Sequence, residues 1–235
     1  MLRVGVDIGG TFTDFAAWRD GGSGAQDVIS FKVSSSPPDF AKGFMAGFAE
    51  VLARAGHEPG EEVFVIHGTT VSTNTVIERS GAAIALFTTA GFRDVLELQR
   101  LKLSRRIDMM AVRTPPLVPR DLVFEIDERL YPDGSVCRPI DLDGVARAAK
   151  AAVAAGAVGI AIAFMHSFRN PGHEAAARSA IRAAAPGIDI SLSSEIWPRI
   201  GEYERAIVSV LNAYVKPKMS TYVAEIERYL AETLP

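Results

Sequence analysis

Val6-Asp7-Ile8-Gly9-Gly10-Thr11-Phe12-Thr13-Asp14 decides how this chain is read, because it joins two apolar runs, Leu2 to Val6 and Phe12 to Trp18. A Gly-Gly pair between such runs reads as strand, turn, strand. Glycine accepts positive φ and carries no side chain, so the N–H groups around Gly9 and Gly10 can approach a phosphate closely. Thr11 and Thr13 add short hydroxyl donors. Asp7, at the strand end, suits Mg2+ bound directly or through water. An ordinary hairpin would use the two glycines, but it has no use for an aspartate before them and hydroxyls after them. The motif therefore reads as an oxyanion cradle whose confirmation is its strand-turn-strand setting.

Working outward, Val28 to Val33 supplies a third strand after the loop Asp20-Gly21-Gly22-Ser23-Gly24, so an antiparallel meander opens the fold. Past Pro37-Pro38, the spacing of Phe40, Phe44, Phe48, Val51 and Leu52 predicts a helix that stops at Gly56. Val63 to Ile66 is a short strand, Ser72 can cap a helix running to Arg79, and Ile84 to Thr88 is another strand, an order that favours parallel pairing. Gly91 to Arg100 looks helical, and Leu101 to Arg120 is basic, proline-containing and irregular, the best candidate for a mobile excursion.

Val123 to Arg129 reads as a strand and Asp141 to Ala155 as an alanine-rich helix. A strand at Gly159 to Phe164, a helix from Asn170-Pro171 to about Ala185, and a strand at Ile188 to Leu192 follow. From Gly201 the chain is helical, interrupted at Lys216-Pro217. The expected class is α/β, a mixed sheet with flanking helices plus a second α/β subdomain. The expected borders are about 1–100 for the phosphate-binding part, about 121–215 for the second, and 216–235 for a helical tail.

Bulk properties narrow the class further. The chain has 235 residues, enough for one large or two small folded units. Its 25 Lys+Arg against 28 Asp+Glu leave a net charge of −3, with the basic residues scattered, which points away from nucleic acid. The single cysteine, Cys137, cannot form an internal disulfide and has no histidine partner in the sequence pattern, so the expected setting is cytoplasmic and no thiol nucleophile is indicated. Met1-Leu2-Arg3-Val4-Gly5-Val6-Asp7 meets charge and glycine too early for a signal peptide. Ala151 to Met165 is apolar but short of the roughly 20 residues a membrane span needs. Spacing for a zinc site is absent.

A second block, His67-Gly68-Thr69-Thr70-Val71-Ser72-Thr73-Asn74, ends one strand and starts a helix, where backbone N–H groups, hydroxyls and an imidazole meet ligands. His67 fits either a donor to a phosphate or substrate carbonyl, or a core histidine bonded to a backbone carbonyl. Thr69, Thr70 and Asn74 fit either ligand donors or helix caps. Lys102, Arg105, Arg106, Arg113 and Arg120 would screen phosphate, recruit an anionic substrate or subunit, or simply form a solvated basic loop. Glu202, Glu204 and Arg205 stand at helical spacing, where surface ion pairs are the ordinary outcome.

The first block resembles the first phosphate motif of the actin/hexokinase/Hsp70 superfamily, whose lobes have a ribonuclease-H-like fold. Within that group, Asp7 to Asp14, His67 to Asn74, Thr88-Thr89-Ala90-Gly91-Phe92-Arg93-Asp94, Pro116-Leu117-Val118-Pro119-Arg120, Gly201-Glu202-Tyr203-Glu204-Arg205 and Leu211-Asn212-Ala213-Tyr214-Val215 resemble, in order, the blocks of the hydantoinase A/5-oxoprolinase family. The resemblance implies an enzyme that uses ATP to phosphorylate the carbonyl oxygen of a cyclic amide and so drive ring opening. It implies Mg2+ at Asp7, the phosphoryl group at Gly9, Gly10, Thr11 and Thr13, and Asp7, Thr11 and His67 as catalytic residues. His67, Thr69, Thr70, Asn74 and Arg205 would form the substrate side.

The resemblance also implies a hydantoinase B-type subunit or C-terminal half as partner in a hetero-oligomer. No second glycine-rich phosphate loop or adenosine pocket is visible after Tyr214, so the chain is expected to be an N-terminal lobe that binds ATP weakly and does not turn it over alone. Ketone carboxylase subunits share the same blocks. A sugar or acetate kinase shares only the first turn. In a non-enzymatic reading, the helical tail carrying Val208, Leu211, Tyr214, Tyr222, Ile226 and Leu230 would dock on a partner.

Overall fold

The computed structural model describes residues 1–21, 27–36, 39–101, 110 and 113–234. The expected loop over Gly22, Ser23 and Gly24, the Pro37-Pro38 break, and Lys102, Arg105 and Arg106 lie outside the described residues. The chain divides into two compact units, one of Met1–Ser80 with Pro217–Pro235 and one of Gly81–Lys216.

In the first unit, β1 (Leu2–Ile8), β2 (Phe12–Arg19) and β3 (Ile29–Ser34) form the antiparallel meander, and β4 (Val63–Thr69) adds parallel to β1, giving the order β3-β2-β1-β4. The alternation of the sequence sets which face is buried. Leu2, Val4, Val6 and Ile8 of β1 and Phe15 and Ala17 of β2 are buried under α1 (Phe40–Ala55), which contributes Ala41, Phe44, Phe48 and Val51. Gly47 lets that helix lie close to the sheet, because a Cβ there would stand 2.1 Å from Phe15 Cε2. The helix stops where expected: Gly56 takes a left-handed φ of 58° and its N–H bonds the Ala53 carbonyl.

The second unit holds an all-parallel sheet, in the order β10-β9-β5-β6, of β5 (Ile84–Thr89), β6 (Val123–Ile126), β9 (Gly159–Ala163) and β10 (Asp189–Leu192). Every residue of β5 and β9 is buried, as in sheets covered on both faces. The covering residues come from α4 (Leu142–Ala154), α5 (Gly172–Ala184) and the early part of α7 (Glu202–Thr233). A small hairpin pairs β7 (Arg129–Leu130) with β8 (Val136–Arg138), where Cys137 is exposed. Two short helices also belong to this unit, α3 (Val95–Leu98) and α6 (Ser193–Ile196).

Several sequence expectations differ from this arrangement. The strands on either side of α2 (Val71–Ile77) do not pair with each other: β4 joins β1, and β5 is a central strand of the second sheet. That pairing places 81–100 with the second unit, while the tail from Pro217 packs into the first. Gly91 to Arg100 is helical only at α3, since Gln99 and Arg100 turn left-handed (φ 46° and 53°). Helix α7 runs unbroken through Pro217, because a proline removes one N–H and need not end a helix already held by its neighbours. The apolar stripe expected to dock on a partner is used internally, Tyr222 and Ile226 being part of the first core and Tyr214 buried in the second unit. No helix among the described residues is long and apolar enough to cross a membrane.

Replacing Gly47 by alanine should lower the unfolding free energy by about 1–3 kcal/mol, the usual penalty for forcing an extra methyl into a packed core. Denaturant unfolding of the variant beside Gly56→Ala, whose added methyl meets nothing within 4 Å, separates overpacking from strain at a left-handed residue.

Candidate active site

A two-residue tip joins β1 to β2. Gly9 N–H bonds the Phe12 carbonyl at 2.9 Å, and Ile8 pairs with Thr13 and Asp7 with Asp14. Gly10 and Thr11 are exposed at the tip, and no acceptor takes their amides among the described residues. Neither Gly9 nor Gly10 adopts a left-handed φ. Their need for glycine is close approach instead: a Cβ on Gly9 would lie 3.1 Å from the Phe12 carbonyl oxygen, and one on Gly10 would lie 3.0 Å from Asn74 Nδ2.

Two braces hold this tip. On one side, the Ser35 hydroxyl donates to the Gly9 carbonyl (2.9 Å) and Ser35 N–H to the Thr11 carbonyl (2.9 Å). A hydroxyl has one hydrogen, so the 3.0 Å contact between Thr13 Oγ1 and Ser35 Oγ has Thr13 as donor. Thr13 is fully buried. Its hydroxyl, expected from the sequence to face a phosphate, here points inward and tightens the brace. On the other side, the Ile8 carbonyl accepts from Thr70 N–H (3.1 Å) and the Thr69 hydroxyl (3.3 Å). The helix α2 starts at Val71, whose N–H bonds Thr69 Oγ1 at 3.1 Å, so Thr69 and not Ser72 serves its first turn. The structure thus brings Thr69, Thr70 and Asn74 to the tip from a distant block of sequence.

The two faces of the first sheet carry different chemistry. Asp7 is exposed on the face away from α1, directly across from Asp14, whose carboxylate meets Lys32 Nζ at 3.2 Å. These residues, with Gly5, Ile66 and Gly68, line an open depression of about 680 Å³. Gly68 lies beside Asp7, a Cβ there meeting Asp7 Oδ1 at 3.6 Å in ordinary van der Waals contact. Like charges directly across a strand pair repel, and a cation between them relieves that repulsion. Among the described residues no cluster of three or more His, Cys, Asp or Glu side chains suited to a metal exists. Two carboxylates fit Mg2+ that takes its other ligands from phosphate and water.

His67 lies on the opposite face. Its ring packs edge-on to Phe44 (6.3 Å between centroids) and its Nε2 is hydrogen-bonded to the Tyr222 hydroxyl, neither of the partners the sequence suggested. The residue as a whole is exposed, yet desolvation of the imidazole between those rings pulls its pKa below 6.5, against a smaller opposing pull from Asp7. Burial pushes the Tyr222 phenol above its ordinary 10.0, so it keeps its proton and donates to a neutral imidazole.

Arg205 belongs to the second unit and is fully buried. Its guanidinium donates to Ser193 Oγ (3.1 Å), to the Arg199 and Phe164 carbonyls (3.3 and 2.6 Å) and to Glu202, an internal network in place of the surface pairing the spacing suggested. Of the basic stretch, Arg113 bonds the Glu97 carbonyl (3.2 Å) and Arg120 bonds Asp94 (2.7 Å). Lys32 and Ser35 escaped the sequence reading, which placed Tyr222 only in the apolar stripe of the tail and not beside His67. Asp14 did not have to, because a two-residue tip at Gly10-Thr11 fixes the register that sets it opposite Asp7.

Residues 3–185 match the hydantoinase/oxoprolinase N-terminal region. The chain belongs to the hydantoinase/oxoprolinase family. It is 34% identical to the caprolactamase subunit alpha of Pseudomonas jessenii, across 99% of this chain and 34% of that one. The crystal structure of ATP-dependent caprolactamase from the same organism superposes with a TM-score of 0.86 at 34% identity, over 98% of this chain and 34% of that chain. A nucleotide-free acetone carboxylase superposes with a TM-score of 0.87 at 27% identity, with the same two coverages, 98% and 34%. The chain spans about a third of the length of these three relatives.

Two outcomes follow from the geometry. Ser35→Ala removes two contacts from the brace at once and should lower the unfolding free energy by about 1–2 kcal/mol, the scale of two net hydrogen bonds, while urea unfolding of Ser30→Ala in the same sheet stays near the parent value. Because His67 is held neutral in the fold and protonates near 6.5 when unfolded, stability is full above that pH and declines as pH falls from 6.5 toward the lower folded value. Urea unfolding from about pH 8 to 5 should show that decline, and His67→Gln should lack this part of it.

Proposed function

We propose that this chain forms the phosphate-binding part of an ATP-dependent enzyme that phosphorylates the carbonyl oxygen of a cyclic amide, such as 5-oxoproline, a hydantoin or a related lactam, so that water can open the ring. The observation that carries the reading is the exposed Gly10-Thr11 tip with unengaged amides, beside the facing carboxylates of Asp7 and Asp14. Oriented amides at a fixed turn favour phosphate oxygens, and their fixed placement means little reorganisation as charge moves between oxygens.

The chemistry explains why ATP is needed. Amide resonance makes the ring carbon a poor electrophile and its oxygen a poor leaving group. Attack of the carbonyl oxygen on the terminal phosphorus of ATP forms one P–O bond and breaks the bond to the rest of the nucleotide. Water then adds to the activated carbon, the ring C–N bond breaks with a proton passing to nitrogen and leaves an acyl phosphate, and a second water attacks that carbon, supplying the other carboxylate oxygen as phosphate departs with the former carbonyl oxygen. Bound Mg2+ would neutralise polyphosphate charge during the transfer. Asp7 and Asp14 would hold it, Lys32 would keep Asp14 oriented, and Gly10 and Thr11 would bind the phosphoryl oxygens. Thr69, Thr70, Asn74, Thr13 and Ser35 keep the tip in shape.

The caprolactamase similarity supports the lactam. The acetone carboxylase similarity supports the same carbonyl activation with a ketone as acceptor, at lower identity. That the caprolactamase relative is a subunit supports a hetero-oligomeric enzyme, with a hydantoinase B-type subunit or C-terminal half as partner. A cytoplasmic setting accords with the lone exposed cysteine.

Asp7→Asn in the complete enzyme should lower lactam-dependent phosphate release on the order of 10²-fold or more, the scale of deleting a preorganised electrostatic group. Asp14→Asn should raise the Mg2+ concentration needed for half-maximal rate. Steady-state phosphate assays across Mg2+ concentrations test both, and an unchanged rate in Asp7→Asn would exclude this reading.

A further inference from the structure

The second unit contains a site that the phosphate turn does not use. Its parallel sheet has the chain order β5, β6, β9, β10 and the spatial order β10-β9-β5-β6, so the path leaves β5 to one side and returns on the other. The switch point falls between the ends of β5 and β9, and open parallel sheets bind ligands outside the carboxyl ends of strands at such a point. Here Thr88 pairs with Ala163, and the Met165 N–H just past β9 bonds Thr89 Oγ1 at 2.9 Å. A depression of about 490 Å³ opens after β5, walled by Phe92, Val95 and Leu98 and carrying Asp94, Arg100 and Glu202. That volume suits a small molecule.

The charges on this wall say which kind. Each has an opposite partner: Asp94 with Arg120 at 2.7 Å, Arg100 with Glu204 at 2.6 Å, and Glu202 with buried Arg205. A wall of paired charges has little to attract a polyanion, unlike a phosphate site built on converging cations and amides. Glu202 is also fixed from behind. His166 holds a left-handed φ of 59° and its N–H lies 3.4 Å from Glu202 Oε1, while Arg205 takes the other oxygen. The depression therefore offers an oriented acceptor in Glu202, a donor in Arg100 and an apolar wall. A small lactam ring forces its amide cis, so its N–H and C=O lie side by side above a run of methylenes.

We infer that this depression binds the neutral cyclic amide, Glu202 accepting from its N–H, Arg100 donating to its carbonyl, and Phe92, Val95 and Leu98 packing on its methylenes. The inference deepens the proposed function and rests on it for the choice of an amide. It also gives the Thr88 to Asp94 and Gly201 to Arg205 blocks a shared purpose, since Gly91, Phe92, Asp94, Glu202 and Tyr203 line one wall.

The test is saturation-transfer NMR on the 235-residue chain with ε-caprolactam as probe, on the parent and on Leu98→Glu, Arg100→Gln and Asp7→Asn. Leu98 is 49% exposed, so its variant keeps the fold. Saturation transfer to the ring methylenes is expected in the parent, reduced at least fivefold in Leu98→Glu and Arg100→Gln and unchanged in Asp7→Asn. Absence of transfer in the parent would overturn the inference, as would equal transfer in Leu98→Glu and Arg100→Gln, or displacement of ε-caprolactam by inorganic pyrophosphate. ATP binding measured calorimetrically on the same proteins reports on the phosphate turn separately, so the lactam site can fail while that reading stands.

Discussion

The pairing of β1 with two neighbours at once is the constraint on which the rest depends. Antiparallel pairing to β2 sets Ile8 opposite Thr13, and parallel pairing to β4 sets Ile8 beside Thr69. The Ile8 carbonyl then receives Thr70 N–H and the Thr69 hydroxyl, and a Cβ on either of the next two residues would make a tight contact of 3.0–3.1 Å. Slipping β1 by one residue would turn Leu2, Val4, Val6 and Ile8 out of the core. The hydrophobic effect that buries those side chains thus also fixes the tip, and the amides of Gly10 and Thr11 inherit their direction from the apolar alternation beneath them.

The same alternation separates two environments. Even-numbered β1 residues face α1 and the end of α7, so His67 at the matching position of β4 meets Phe44 and Tyr222 and loses part of its hydration. Asp7 faces the other way, into an open depression with Asp14 and Lys32. One residue step therefore decides whether a polar group becomes part of the packing or remains available to solvent and ions. The second unit handles polar groups differently. Its two central strands are buried throughout, and Glu174 accepts from Phe164 N–H, Ser193 Oγ and Ser194 N–H and Oγ at 2.5–3.1 Å, so its buried carboxyl is fully hydrogen-bonded.

Much of this was legible from residues. The meander, α1 with its glycine stop, and the alternation of strands and helices after Gly81 follow from periodicity and turn chemistry. The glycine turn, with Asp7 before it and Thr11 and Thr13 after it, was legible as a residue pattern. What resisted reading was anything set by tertiary partners. Thr13 looks like a donor in the motif, and only the position of Ser35 shows where its hydrogen goes. The left-handed Gln99 and Arg100 cut α3 short despite a helical pattern. Pro217 marks a break by propensity, yet the neighbours of α7 hold it continuous. Arg205 carries no sequence sign that it would be enclosed by Phe164, Ser193 and Arg199 from other elements.

The account stands on the tip amides being the groups that meet phosphate. Two-dimensional amide NMR of the chain titrated with Mg2+-ATP addresses that claim most directly. The account requires the largest shift changes at Gly10 and Thr11, with smaller ones at Asp7 and Ser35, even at weak affinity. Gly10 and Thr11 signals that stay in place while other residues saturate would contradict it.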